Sequence, residues 1–131
     1  MTMSHSLDDG ATVDRSRLLA RDYWLINWLP HGSTTLAAID MHLESHLQWL
    51  LRLERSGELV MSGPLVSGPR VAPGCGVTVL RAESEERAAQ LASADPFVRA
   101  GLRTFEVNRW RVNEGSIRVE LSLGTGTYRW L

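Results

Sequence analysis

Apolar residues first gather at Tyr23-Trp24-Leu25-Ile26-Asn27-Trp28-Leu29, an aromatic and branched run that Pro30 stops. The run predicts a strand, apolar on both sides and so buried on both. After the Pro30-His31-Gly32-Ser33 loop the spacing changes to threes and fours. Leu36, Ile39, Leu43, Leu47, Leu50 and Leu53 make one stripe, with Asp40, Glu44, Gln48 and Arg52 opposite, so a helix is predicted from about Thr35 to Arg55. Ser33 or Thr34 caps it and Gly57 stops it. Leu59-Val60-Met61 opens a second strand that runs into Ser62-Gly63-Pro64-Leu65, and a Gly/Pro-rich loop leads to a third strand at Val77 to Arg81. Ser84 caps an Ala-rich second helix with Glu85 and Glu86 in its first turn. Asp95 must leave the helical region before Pro96. A further turn at Pro96 to Ala100, closed by Gly101, precedes a fourth strand at Leu102 to Val112. Ile117, Val119, Leu121 and Leu123 then alternate with polar residues, which predicts a half-exposed strand. Gly124-Thr125-Gly126 loosens the end, and Trp130 is a candidate anchor for the tail.

The order is β-α-β-β-α-β with an extra C-terminal strand: an α+β, ferredoxin-like pattern. Residues 1–20 read as a loose N-terminal arm, with a weak helical turn within Val13 to Arg21. Residues 21–131 read as one domain that includes the C-terminal strand 116–123. In this fold both helices cover one face of the sheet, and the other face needs a cover. A second copy of the chain, commonly with twofold symmetry, is the expected one.

Composition narrows the function classes. At 131 residues and 44% apolar the chain supports one domain with a real core, and a formal net charge of −1 gives no reason to expect nucleic acid or a membrane as partner. All 14 basic residues are arginine. The absence of lysine removes Schiff-base chemistry and the P-loop lysine together. One cysteine, Cys75, excludes an intrachain disulfide and fits a reducing, cytoplasmic setting. The polar, acidic start to Gly10 is unlike a signal peptide, and no apolar run approaches a membrane span of ~18–20 residues.

Four motifs occur in an ordered set: His46-Leu47-Gln48-Trp49-Leu50, Gly57-Glu58-Leu59, Ser62-Gly63-Pro64-Leu65, and Ala94-Asp95-Pro96-Phe97-Val98-Arg99-Ala100-Gly101. Over roughly residues 22 to 112 the chain thereby resembles the YCII-related family. The resemblance implies a dimeric α+β barrel of two ferredoxin-like sheets packed face to face, with a pocket in each subunit. It also implies an active-site pair at His46 and Asp95. Relatives of the fold include muconolactone isomerases, and a dehydrochlorinase of chlorinated aromatic breakdown resembles the same type. The N-terminal arm and the C-terminal strand depart from the minimal family pattern and could reshape the pocket mouth or the oligomer.

The residues themselves support two readings of the pair. His46 shares helical spacing with Leu43, Leu47 and Leu50, so it faces the core or a cavity in it. Asp95 could orient its imidazole and stabilise the charged form, as a general base or acid requires. Equally, His46 could be a buried, hydrogen-bonded core residue and Asp95 only the cap of the Pro96 turn. Ser62 at a strand end is a candidate substrate contact or a local backbone partner. Arg99 could hold a substrate carboxylate, or be solvated or paired with an aspartate. Trp24 and Trp28 share a face of the first strand with Ile26, as pocket wall or as dimer core. His42 and His46 lack the HExxH arrangement, and Cys75 sits in a loop expected to be distant, so no metal is expected. No axial ligand for haem and no phosphate cradle are evident, so no cofactor is expected.

Two functions fit. One is a small-molecule enzyme of proton transfer, an isomerase or a dehydrochlorinase-like lyase, with His46 moving the proton and Asp95 orienting it. The other is a non-enzymatic dimeric module that binds a small ligand or another protein. An accessible imidazole nitrogen, with the other nitrogen on Asp95, separates the first from the second.

Overall fold

The computed structural model describes residues 12–131. Residues 1–11 of the expected N-terminal arm lie outside the described residues. A 3-10 turn at Arg15–Arg17, capped by Asp14, falls within the stretch where a helical turn was expected. Residues 22–111 form one compact unit, and Val112–Leu131 with the segment ending at Arg21 form a second.

The elements run β1 (Arg21–Pro30), α1 (Leu36–Arg55), β2 (Leu59–Pro64), β3 (Gly76–Leu80), α2 (Glu85–Ser93), α3 (Pro96–Arg99) and β4 (Arg103–Val112). The sheet order is β2-β3-β1-β4, with β3 antiparallel to both neighbours. This is the ferredoxin-like order that the β-α-β-β-α-β reading requires. In the register, Thr78 of β3 lies between Ile26 of β1 and Ser62 of β2. Two glycines matter to the site. At Gly76 an added Cβ would lie 2.7 Å from the Gly63 carbonyl oxygen, so β2 and β3 close only with glycine there. Gly74 has φ +95°, a left-handed conformation that other residues adopt at a cost.

Caps follow the sequence with small shifts. Thr35, one or two residues later than expected, accepts a hydrogen bond from the Ala38 amide at 3.2 Å. Ser84 accepts from the Arg87 amide at 3.1 Å. Asp95 caps α3 by accepting from the Phe97 amide at 3.3 Å, and Pro96 follows at the first helical position, where its missing N–H costs nothing.

The core lies between α1, α2 and one sheet face. Ile26, Trp28 and Leu80 pack with Trp49, Leu53, Leu91 and Ala92. Trp24 packs against this cluster, and its indole N–H donates to the Ala82 carbonyl at 3.0 Å. The Trp24–Trp28 face is therefore covered by the chain's own helices, which corrects the expectation of a dimer core. The α1 stripe also differs. His46, Trp49 and Leu53 are buried, whereas Leu36, Leu43 and Leu47 stay exposed to varying degrees. The opposite sheet face carries Leu25, Val77, Val79, Met61, Leu65 and Trp110 around a shallow hollow of about 320 Å³.

In the second unit β5 (Val119–Ser122) and β6 (Thr127–Trp130) pair antiparallel as a separate two-stranded sheet. The extra C-terminal strand exists, but shorter than 116–123, and Gly124-Thr125-Gly126 turns the chain back rather than loosening it. Val119 opposes Trp130 and Leu121 opposes Tyr128. The other side of the hairpin carries the Arg129–Glu120 ion pair. Trp130 is an exposed strand residue and not a buried anchor.

Candidate active site

A cavity of about 280 Å³ opens between α1 and the β2–β3 edge. Ile39, Leu43, Leu47 and Leu50 of α1 form one wall, with Trp28 and Phe97 at the floor. Of the two surroundings expected for this face of the helix, core or a cavity in it, the leucine stripe meets the cavity along much of its length. The polar groups that reach it are His46, Ser62, Cys75 and Arg103. Cys75, expected to be distant, is a free thiol in the same wall as Gly74 and Gly76.

His46 and Asp95 meet directly. Nδ1 of His46 lies 2.7 Å from Oδ1 of Asp95, whose side chain is fully buried. Asp95 also receives the Phe97 amide on Oδ1 and Nε of Arg103 on Oδ2 at 2.9 Å. Nδ1 is thus engaged by Asp95, and Nε2 has no hydrogen-bond partner among the described residues. The His46 ring stacks on Phe97, centroids 4.3 Å apart and planes at 20°, and leans on Trp49. Stacking and the Asp95 bond fix the ring plane. The His46 side chain keeps 11% exposure, at the cavity.

Arg103, which the sequence reading did not single out, completes the constellation. Its guanidinium lies 3.8 Å from the Trp28 ring centroid and 4.8 Å from that of Phe97, and Nη1 donates to the Gly74 carbonyl at 2.9 Å. Burial pushes its pKa down from the usual value, and the charge and hydrogen bond of Asp95 oppose that. The signal was present in the parity of β4. Arg103 stands two and four residues before Phe105 and Val107, both of which pack on the core. A side chain at position 103 therefore points inward.

The remaining candidates separate. Ser62 lines the cavity and shares a 2.7 Å hydrogen bond with Thr78, whose hydroxyl accepts from the Trp28 indole at 2.8 Å. Trp28 lines the cavity, while Trp24 packs elsewhere on the core and does not line it. Arg99 is exposed and is not among the lining residues; the arginine paired with Asp95 is Arg103. Among the described residues no group of three or more His, Cys, Asp or Glu side chains is placed to hold a metal ion.

A family model for the YCII-related domain matches residues 26–111. The chain belongs to the YCII-related family. The uncharacterized protein YjpA of Bacillus subtilis (strain 168) is 33% identical over 73 residues, which is 56% of this chain and 80% of YjpA. Among solved structures the YCII-related fold is similar to 5-chloro-2-hydroxyhydroquinone dehydrochlorinase (TftG) from Burkholderia phenoliruptrix AC1100, determined with 2,5-dihydroxybenzoquinone. The TM-score is 0.57 at 22% identity, covering 67% of this chain and 92% of that one. At that identity the likeness concerns the fold.

Proposed function

We propose that this YCII-related protein is a small-molecule enzyme of proton transfer, with His46 as the base and Asp95 as the residue that orients it. The observation that carries the reading is the imidazole itself. One nitrogen is fixed by a buried carboxylate, and the ring faces a cavity with a partly exposed rim. A sealed, dry His46 would have favoured a binding module instead. The substrate is a compact ring compound, suited to a cavity of about 280 Å³ with aromatic and aliphatic walls. Nε2 of His46 takes a proton from substrate. In an isomerisation it returns the proton at another carbon; in an elimination the electron pair moves through the conjugated system and chloride leaves. The likeness to TftG supports trying elimination first, with Ser62 as a further substrate contact. Cys75 as a free thiol suits a reducing compartment such as the cytoplasm.

The assay is chloride release from 5-chloro-2-hydroxyhydroquinone, together with solvent-deuterium incorporation into the ring. Wild-type protein should show one of the two, and His46→Gln should lower it by about 10²-fold or more, the usual contribution of a general base. Full activity in the His46→Gln protein would remove His46 from the chemistry.

A second copy of the chain is the proposed cover for the sheet face bearing Leu25, Val79 and Trp110, since an apolar face of this kind is seldom left in water.

A further inference from the structure

The Ser62 hydroxyl ends a chain of hydrogen bonds, and the chain has a direction. It starts at Trp28, whose indole N–H lies 2.8 Å from Thr78 Oγ1 and can only donate. Thr78 Oγ1 lies in turn 2.7 Å from Ser62 Oγ, across the paired strands β3 and β2. Distance alone leaves either hydroxyl as the donor of that second bond, and burial decides between them. Thr78 is 0% exposed, so no water takes its hydrogen. Its hydroxyl has two hydrogen-bond partners among the described residues, Trp28 and Ser62, and of these only Ser62 accepts. Thr78 therefore donates to Ser62, because the reverse leaves a buried O–H without an acceptor. Ser62 is left with its own O–H to give. Unlike Thr78 it is exposed, and it lines the cavity from the β2 side while His46 reaches it from α1.

We infer that Ser62 is the hydrogen-bond donor of the cavity for a ligand oxygen, that Thr78 and Trp28 are the positioning residues that set its polarity, and that the ligand is a ring ketone or the enolate formed from it. This deepens the proton-transfer reading and rests on it for the chemical step. Each donation along the chain strengthens the next O–H as a donor, so Ser62 gives its hydrogen more strongly than an isolated serine. A ring ketone uses both polar walls at once, its oxygen taking the Ser62 hydrogen and its α C–H meeting Nε2 of His46. When Nε2 takes that proton, the C–H electron pair forms the new C–C double bond. The carbonyl π pair passes to the oxygen, and the proton stays on the imidazole until it returns to a ring carbon. The oxygen's charge grows in this step, so the Ser62 hydrogen bond is stronger after proton transfer than before it, as catalysis requires. Thr78 does not line the cavity, so its effect on a ligand passes through Ser62.

The test sets 1-indanone against indane, two ligands of one shape that differ in the ketone oxygen, on the whole protein. Titration followed by NMR should show the ketone binding about fivefold tighter, the worth of one neutral hydrogen bond. Isotope-edited infrared spectroscopy of carbonyl-labelled indanone reads the bond directly. In wild-type protein the carbonyl stretch should fall below its frequency in hexane. Ser62→Ala should abolish both the preference and the shift, and Ser62→Thr should keep them. Thr78→Val should reduce the shift and Thr78→Ser should restore it, a response that a purely structural Thr78 would not give. Should Thr78→Val fail to fold, the buried Thr78 hydroxyl proton of wild-type protein gives the direction, by a nuclear Overhauser contact to the Ser62 β protons. Equal binding of ketone and hydrocarbon, a shift that survives Ser62→Ala, or a Thr78 hydroxyl proton directed away from Ser62 overturns the inference. Loss of the His46-dependent reaction with the Ser62-dependent shift intact would instead count against the base and leave Ser62 standing.

Discussion

Asp95 accepts a hydrogen bond from Arg103 Nε at 2.9 Å across eight residues of sequence, and neither side chain has substantial access to water. The carboxylate also caps α3 and holds His46. Asp95→Ala should therefore cost about 3–5 kcal/mol in urea denaturation, the range for stranding one member of a buried pair. The Asp95→Ala, Arg103→Met double variant should lose less than the sum of the two single losses, because the stranded charge is gone. Strict additivity would show that the pair is not coupled.

The close approach of β2 and β3 gives a second expectation. Gly76→Ala places a Cβ 2.7 Å from a backbone oxygen that cannot rotate away, and should cost about 1–3 kcal/mol as overpacking does. At Gly63 an added Cβ meets nothing within 4 Å, so Gly63→Ala serves as the control, within about 1 kcal/mol of wild type. Equal melting curves for the two variants would contradict the register.

Much of this was legible in the pattern of residues. The split β-α-β order, the Ser84 cap and the break at Asp95-Pro96 each have a local physical cause, and each lies where expected. The face of β1 was misjudged because an aromatic run looks alike whether a helix or a second copy covers it. The C-terminal hairpin was missed because Gly124-Thr125-Gly126 reads as a loose end until Thr127 to Trp130 is seen to pair. In the site, His46 and Asp95 were visible through family motifs. Arg103 was readable from strand parity, yet an arginine in a strand is ordinarily assigned to solvent. Cys75 could not be placed, since the path of a Gly/Pro-rich loop is set by tertiary contacts such as the bond from Arg103 to the Gly74 carbonyl.

The surface cluster of Asp22 with Arg109 and Arg111 predicts a pH dependence. Hydrogen bonding to Arg111, then to Arg109, holds the Asp22 carboxyl down to about 2 from an ordinary 3.8, against an opposing contribution from burial. A folded value below the unfolded one means that the stability from this cluster is present above about 3.8 and is lost as pH falls towards about 2. Asp22→Asn should flatten the acid limb of the stability curve in that window. Added salt should shrink the difference, because the two arginines are exposed and screened. An acid limb identical in the variant would place the titration elsewhere.

The open sheet face predicts an assembly. Light scattering at micromolar concentration should give at least twice the chain mass of 14.6 kDa. Trp110→Glu, at a residue 43% exposed on that face, should return the protein towards the monomer with its far-ultraviolet spectrum unchanged. A wild-type monomer would leave the hollow without its proposed cover.

The cavity is built from two kinds of material, and this decides where the protein can change. Its floor is shared property: one carboxylate starts a helix, seats the imidazole and neutralises the arginine that pins the Gly74 loop. Variation there would be read as misfolding before it was read as altered activity. Its α1 wall is different, since Leu43 and Leu47 are partly in water and carry little of the core. A directed-evolution library confined to Ile39, Leu43 and Leu47 should therefore retain folded members at high frequency while reshaping which rings can enter.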